Sequence, residues 1–198
     1  MVAHDKQYET RQEWLIKHVQ DMLAVEKHIH DEVAQHRQTD HLDDLPEVAR
    51  AAHAVEQTLG QHVSVLENYL EGIGGRATGT GRFRRAMTNV TGAFTGLFAR
   101  LREHGASRFL RDGYTALNLA AITYEMLHTT ALAHHDRHLA QIAIANLNDL
   151  TRLISELGRL MPQAIAREAA ELEGGDGGIA GEAEANTVRA WTREPLVT

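Results

Sequence analysis

The chain has 198 residues, a net charge of −7 and no cysteine. This length is enough for one domain with a hydrophobic core, and the acidic balance argues against a dedicated nucleic-acid-binding protein. The lack of cysteine excludes disulfides, iron–sulfur clusters and thiolate zinc sites, so any metal ligands would be carboxylates and imidazoles. No signal peptide and no membrane-spanning apolar stretch is visible, which predicts a soluble, cytoplasmic protein.

The first predicted helix extends from about Thr10 to Gln38. One face has the spacing of three and four residues that is typical of an amphipathic helix, but Glu26 occupies a position in this row where an apolar residue is expected. A buried carboxylate is costly unless it is paired, protonated or metal-bound, so Glu26 needs a partner. The apolar members of the row are Leu15, Val19, Met22, Ile29 and Val33.

The second predicted helix extends from about Leu45 to Glu71, and a second carboxylate, Glu56, interrupts its apolar row. A glycine-rich connection follows, without the ending of a phosphate-binding loop. A third helix is predicted from about Arg82 to Glu103. Its row is apolar throughout, which indicates packing, and consists of Phe83, Met87, Val90, Phe94, Leu97 and Leu101.

Two further helices complete the predicted bundle. The fourth, from about Arg108 to Ala133, has Glu125 and His128 three residues apart in a row that we assign to the core. The fifth, from about His138 to Leu172, has Asn146 and Asp149 at the same spacing, although a neighbouring row is also apolar.

The composition changes at Gly174 to glycine, alanine and glutamate. We therefore expect a helical domain over residues 1–173 and a flexible tail over 174–198, which is disordered or docks on a partner through Trp191.

The polar positions can be placed at heights along the helices by counting residues from each turn. Glu26 and Glu56 each lie about twelve residues, or roughly 18 Å, from the turn between the first and second helices. Glu125 and Asp149 lie at similar distances from the turn between the fourth and fifth helices. The third helix is long enough to return along the bundle, so that the second and fourth helices run parallel. The sequence thus predicts an all-α, ferritin-like four-helix bundle with a long crossover that carries an additional helix.

In such a bundle the side chains of Glu26, Glu56, Glu125 and Asp149 converge, with His128 beside them. Clustered carboxylates repel one another, and one or two iron or manganese ions would relieve this repulsion. Glu125 and His128 also have the Glu-x-x-His spacing of di-iron bundles.

A metal-free polar layer is the alternative for the same residues. Glu26 would then pair with a lysine or arginine, Glu56 with His53, and Glu125 with the hydroxyl or amide donors of Tyr or Asn side chains. The remaining histidines, His62 among them, are expected at the surface or rim.

Short matches in the right order resemble the YciF-type stress-response family of ferritin-like proteins. They are Ala24-Val25-Glu26-Lys27, then Glu56-Gln57-Thr58-Leu59-Gly60-Gln61, then Arg111-Asp112 and Tyr124-Glu125. The resemblance covers roughly residues 15–160. It implies a five-helix variant of the ferritin bundle, a di-iron-type site with Glu26, Glu56 and Glu125 as ligands, and dimeric assembly.

The chain departs from the family pattern at two places. Asn146-Leu147-Asn148-Asp149 replaces a run of glutamates, and Leu59 stands where a histidine would follow Glu56. The site can therefore be asymmetric, mononuclear or lost.

Two functions follow from these patterns. The first is a carboxylate-type iron or manganese protein that acts in stress response or in iron and peroxide handling. The second is a non-enzymatic interaction protein with a degenerate, metal-free polar core. For both we expect a homodimer or a higher homo-oligomer, with neither nucleic acid nor membrane as partner.

Overall fold

A computed structural model describes residues 10–37, 45–76, 88 and 105–192. Within these ranges the chain is helical and has no strand, which confirms the predicted all-α class. None of the described helices is long and apolar enough to cross a membrane. The helices are α1 (Arg11–His36), α2 (Pro46–Gly72), α3 (Ala106–Ala133), α4 (Arg137–Ala170), a 3-10 turn (Gly177–Ile179) and α5 (Ala180–Thr192).

The predicted helix from Arg82 to Glu103 lies outside the described residues apart from residue 88. The other four predicted helices agree with α1 to α4 to within two residues at each end.

Local signals explain where the helices begin. The side chain of Thr10 accepts a hydrogen bond from the Glu13 backbone N–H (3.2 Å), and Asp136 caps α4 in the same way through Leu139 (2.8 Å). Both contacts satisfy N–H groups that have no partner within the helix. Pro46 is the first residue of α2, where its missing N–H costs nothing.

Helix α1 runs antiparallel to α2. Near the start of α1, the Gln12 side chain donates to the backbone oxygen of Ile73, at the end of α2, over 2.6 Å. Just after the end of α1, Arg37 forms an ion pair with Glu56.

Helix α1 is also antiparallel to α3. The rings of Trp14 and His134 lie 5.0 Å apart at one end, and those of His36 and Phe109 lie 6.3 Å apart at the other.

Helix α4 packs antiparallel to both α2 and α3. The Tyr69 ring of α2 lies 5.9 Å from that of His138, near the start of α4. At the other end of α4, Glu168 accepts hydrogen bonds from Ser107, in the first turn of α3.

The four long helices therefore form a ring in the order α1, α2, α4, α3, in which α2 and α3 are diagonal and parallel. Their inner faces enclose one apolar core, which drives the packing of helices that are amphipathic by sequence. Its largest fully buried aliphatic residues are Met22, Leu23, Ile29, Leu59, Leu66, Leu70, Leu110, Leu117, Leu127 and Leu139.

The start of the predicted flexible tail is ordered. After α4 the chain turns at Gly174, whose positive φ of +77° favours glycine, and α5 then packs against α4. Ala180–Thr192 is rich in alanine and glutamate, which are strong helix formers. Residues 174–192 therefore include a helix that the sequence did not predict. Trp191 is 79% exposed, and its docking on a partner stays a prediction.

Glu168 fastens the start of α3 to α4. One carboxylate oxygen accepts from the Ser107 backbone N–H (2.9 Å), and the other accepts from its hydroxyl (2.6 Å). We expect Glu168→Ala to lower the free energy of unfolding by about 1 to 2 kcal/mol, because a first-turn N–H loses its acceptor. Urea unfolding followed by circular dichroism measures the change. The control is Glu173→Ala, at an exposed position beyond α4, and equal losses in both variants would contradict the assigned role.

Candidate functional site

Glu26 is fully buried in the core, as the sequence predicts, with 0% of its surface exposed. Its partner is His62 of α2, which is itself only 3% exposed. The His62 Nδ1 atom lies 3.2 Å from Glu26 Oε1. The two side chains join the middle of α1 to the middle of α2 inside the protein.

The other ring nitrogen of His62 faces α4. Its Nε2 atom lies 3.5 Å from Asp149 Oδ2, and Asp149 is partly exposed and also pairs with Arg152. A neutral imidazole has a single N–H donor. His62 can therefore donate to both carboxylates at once only with a proton on each nitrogen. The chain of contacts extends from the surface at Asp149 to the buried Glu26.

Helix α3 contributes Tyr124, which is fully buried. Its ring meets that of His62 edge to face, with centroids 5.9 Å apart. Its hydroxyl accepts a hydrogen bond of 2.8 Å from the Asn146 amide of α4. Each long helix thus contributes to one internal cluster, which we call the polar layer. The polar layer consists of Glu26, His62, Tyr124, Asn146 and Asp149.

Burial controls the protonation of this layer. Removal from water raises the pKa of Glu26 above its usual value, and the contacts with His62 and Tyr124 oppose this shift only in part. Burial raises the pKa of Tyr124 well above its ordinary range, and the nearby charge of Glu26 adds to the effect. Tyr124 lies close enough to favour the charged form of Glu26, yet Glu26 Oε2 is buried without a hydrogen bond of ordinary geometry.

The structure brings together only two of the five predicted ligand positions, Glu26 and Asp149, and it does so through His62. Glu56 lies at the edge of α2 in its ion pair with Arg37. Its predicted pairing with His53 does not form. The expectation that the histidines would lie at the surface or rim was wrong for His62 and His28, which are both buried.

The two predicted ligands of α3 do not join the polar layer. Glu125 is exposed, so its assignment to the core-facing row was wrong. His128 is partly buried, and its Nδ1 atom lies 2.9 Å from the backbone oxygen of Ala140. The ring at position 128 is thereby tied to the backbone of α4.

The positions of these side chains show whether they could bind a metal ion together. Among the described residues, no group of three or more histidine, aspartate and glutamate side chains is arranged to hold an ion. Glu26 and Asp149 lie on opposite sides of the His62 ring, so their oxygens do not converge on one point. A two-ion centre, one form of the predicted one- or two-ion site, does not fit this arrangement. Among the fully buried side-chain oxygen and nitrogen atoms of the polar layer, Glu26 Oε2 alone has no hydrogen bond of ordinary geometry.

A separate depression lies at the end of the bundle where α1 begins and α3 ends, with a volume of about 410 Å³. The Tyr69 hydroxyl donates to Asp136 across it over 2.6 Å. Its polar groups are of both signs, so its charge selects no ligand class. It is lined by Arg11, Gln12, Leu15, Tyr69, Ile73, His134, His135 and Asp136.

Comparison of the chain with protein-family models, curated proteins and solved structures gave no significant match.

The pKa of Glu26 predicts a pH dependence of stability. A carboxyl whose pKa is higher in the folded state favours folding fully below its unfolded value, near 4.5. This contribution is lost as the pH rises through the folded value. In Glu26→Gln that loss is absent, so we expect a flatter dependence of the melting temperature on pH, from 4.5 towards neutrality. Thermal unfolding at a series of pH values measures the slope.

Glu125→Gln provides the control, because it removes an exposed carboxylate from the position next to Tyr124. This variant is expected to retain the wild-type slope. If Glu26→Gln also retained it, burial would not control the ionisation of Glu26.

Proposed function

We propose that this protein is a ferritin-like bundle that works by association, without metal chemistry in its core. The order and directions of α1 to α4 support kinship with ferritin-like bundles, since α2 and α3 are parallel and a long connection must join them. The short sequence matches support the YciF-type family as the relative. The observation that carries the proposal is the polar layer, in which two carboxylates of the predicted metal site, Glu26 and Asp149, engage His62.

Hydrogen-bonded layers of this kind stabilise one arrangement of helices over its alternatives. A slip of one helix would leave buried polar groups without partners, at a cost of about 1 to 3 kcal/mol for each group. Glu26, His62 and Tyr124 come from three different helices and are all almost fully buried. The polar layer accordingly fixes the register of the bundle.

If the polar layer serves to fix the helix register, the function of the protein depends on its surface. Residues 113–133 of α3 contain one formally charged side chain, Glu125. A helix with such a weakly charged outer side is expected to be covered by another protein surface. The association function proposed here uses that side of α3.

A single divalent cation at Glu26 is the second candidate, because Glu26 Oε2 is buried without a partner. Carboxylate and imidazole donors would suit iron or manganese. Binding would require His62 to release one of its two carboxylate contacts. Such an ion would be held by Glu26 and a His62 ring nitrogen, and would supply Lewis-acid or redox chemistry to this protein.

Metal content separates the two candidates. For protein purified without chelator or histidine tag, we expect elemental analysis to find iron and manganese far below one ion per chain. Added Fe²⁺, Mn²⁺ or chelator should leave the melting temperature unchanged, because a ligand stabilises a protein only when it binds the folded state.

The metal content of Glu26→Gln and of the matched variant Glu56→Gln tests whether Glu26 binds an ion. About one ion per chain in wild type and in Glu56→Gln, with loss in Glu26→Gln, would overturn the metal-free proposal in favour of the second candidate.

A further inference from the structure

The outer side of α1, which faces away from the core, is buried. Successive residues of an α-helix point about 100° apart around its axis. Ala24 and His28 each lie two residues from the inward-facing Glu26, so both are on the opposite side of α1. Ala24 is nevertheless 0% exposed and His28 is 9% exposed. Because the side chain of alanine is a single methyl group, its complete burial requires that part of the protein lies over this side of α1.

The described neighbours of α1 lie on its other sides. Helix α2 meets α1 on the side of Lys27, which pairs with Glu67, about 100° from Glu26. Helix α3 meets α1 on the other flank, where the ring of His36 lies near that of Phe109. These two are the described helices that pack against α1, and neither lies over its outer side.

The outer side of α4, diagonally across the bundle, provides a comparison. It carries Gln141, Ala145, Asn148 and Arg152, which follow one another at spacings of four and three residues and are all exposed. Ala145 thus matches Ala24 in residue type and in its place on an outer side, but not in burial. The connection from α2 to α3 must cross either α1 or α4, because these two helices lie between them. The difference in burial indicates that it crosses α1.

We propose that residues 77–104, which connect α2 to α3, bind the outer side of α1 and run parallel to it. This surface is separate from the side of α3 that the proposed association uses.

The described ends of the connection lie at the two ends of this path. Just before it, the Arg76 backbone oxygen accepts a hydrogen bond of 2.9 Å from the Gln20 side chain. Gln20 is 3% exposed and lies one turn before Ala24 in α1. After the connection the chain continues into α3, whose first turns lie beside His36 at the end of α1. The connection therefore starts at the outer side of α1 and has to reach the opposite end of the bundle.

The length of the connection fits this path. Gln20 and His36 are about 24 Å apart along α1, and Gly105 lies about one turn further on. The distance to be covered is therefore about 30 Å, and the predicted helix from Arg82 to Glu103 would be about 32 Å long. Residues 77–81 are left to reach the start of that helix. Its apolar row would lie along α1, where burial of apolar surface stabilises the contact.

Thr88 indicates which side of the predicted helix faces α1. It is the one residue of the connection that the structure describes, and it is helical and exposed. Thr88 lies two residues from Val90 of the apolar row, and hence on the opposite side of the predicted helix. Its exposure is expected if the apolar row faces α1 and the opposite side faces outward.

The lack of cysteine makes disulfide mapping direct. Counting back from the start of α3 places Val90 at about the height of Ala24. We expect Ala24→Cys/Val90→Cys to form a disulfide within one chain on mild oxidation, detected by mass spectrometry. Met87→Cys and Phe94→Cys, each combined with Ala24→Cys, extend the search by one turn in either direction.

Two variants are matched controls. Ala145→Cys/Val90→Cys keeps one cysteine and moves the other to the outer side of α4. Ala24→Cys/Thr88→Cys keeps the height but uses a residue that faces outward. Neither is expected to form a disulfide.

Linkage in the Ala145→Cys variant would place the connection over α4 and overturn the proposal. A disulfide between two chains, seen as a doubled mass, would assign the outer side of α1 to a second copy and would also overturn it. So would a lack of linkage to all three positions of the apolar row. None of these outcomes depends on metal content or on association through α3, so this proposal and the proposed function can fail separately.

Discussion

The need to find a partner for one buried carboxylate organises the core of this bundle. Glu26 lies among apolar side chains with no access to water, where an unpaired charge is prohibitively costly. His62 is its partner, and the opposite side of the same ring reaches Asp149. The three residues come from three helices. The register of those helices is therefore tied to a single set of polar contacts.

The same contacts separate two carboxylates that the sequence assigned to a metal site. In a carboxylate-bridged site, oxygens from several helices surround a common point. Here the imidazole of His62 stands between the two carboxylates and keeps their oxygens apart. The remaining acidic groups lie elsewhere, with Glu56 paired to Arg37 and Glu125 facing outward. The bundle has antiparallel neighbouring helices and two parallel diagonal helices, and hydrogen bonds join polar side chains in its core.

The sequence predicted α1 to α4 and the burial of Glu26, because α1 has a single apolar row. For α3 the sequence predicted the wrong inward-facing residue. This helix carries few charges on either side, so periodicity alone assigned Glu125 to the core in place of Tyr124. The sequence failed on α2 for a different reason. His62, six residues beyond Glu56, is level with Glu26, so α2 is displaced along the bundle by about 9 Å from the symmetric hairpin that residue counting assumes. Counting from a turn cannot reveal such a displacement, because it depends on packing between helices.

A double-mutant cycle on Glu26 and His62 tests the central interaction most directly. Glu26→Leu and His62→Leu each leave one buried polar group without its partner, whereas the double variant leaves neither. The double variant should therefore be more stable than the sum of the single losses implies, by a coupling of about 1 to 3 kcal/mol in urea unfolding. Additivity to within about 0.5 kcal/mol would contradict this account, because it would show that Glu26 and His62 do not depend on each other.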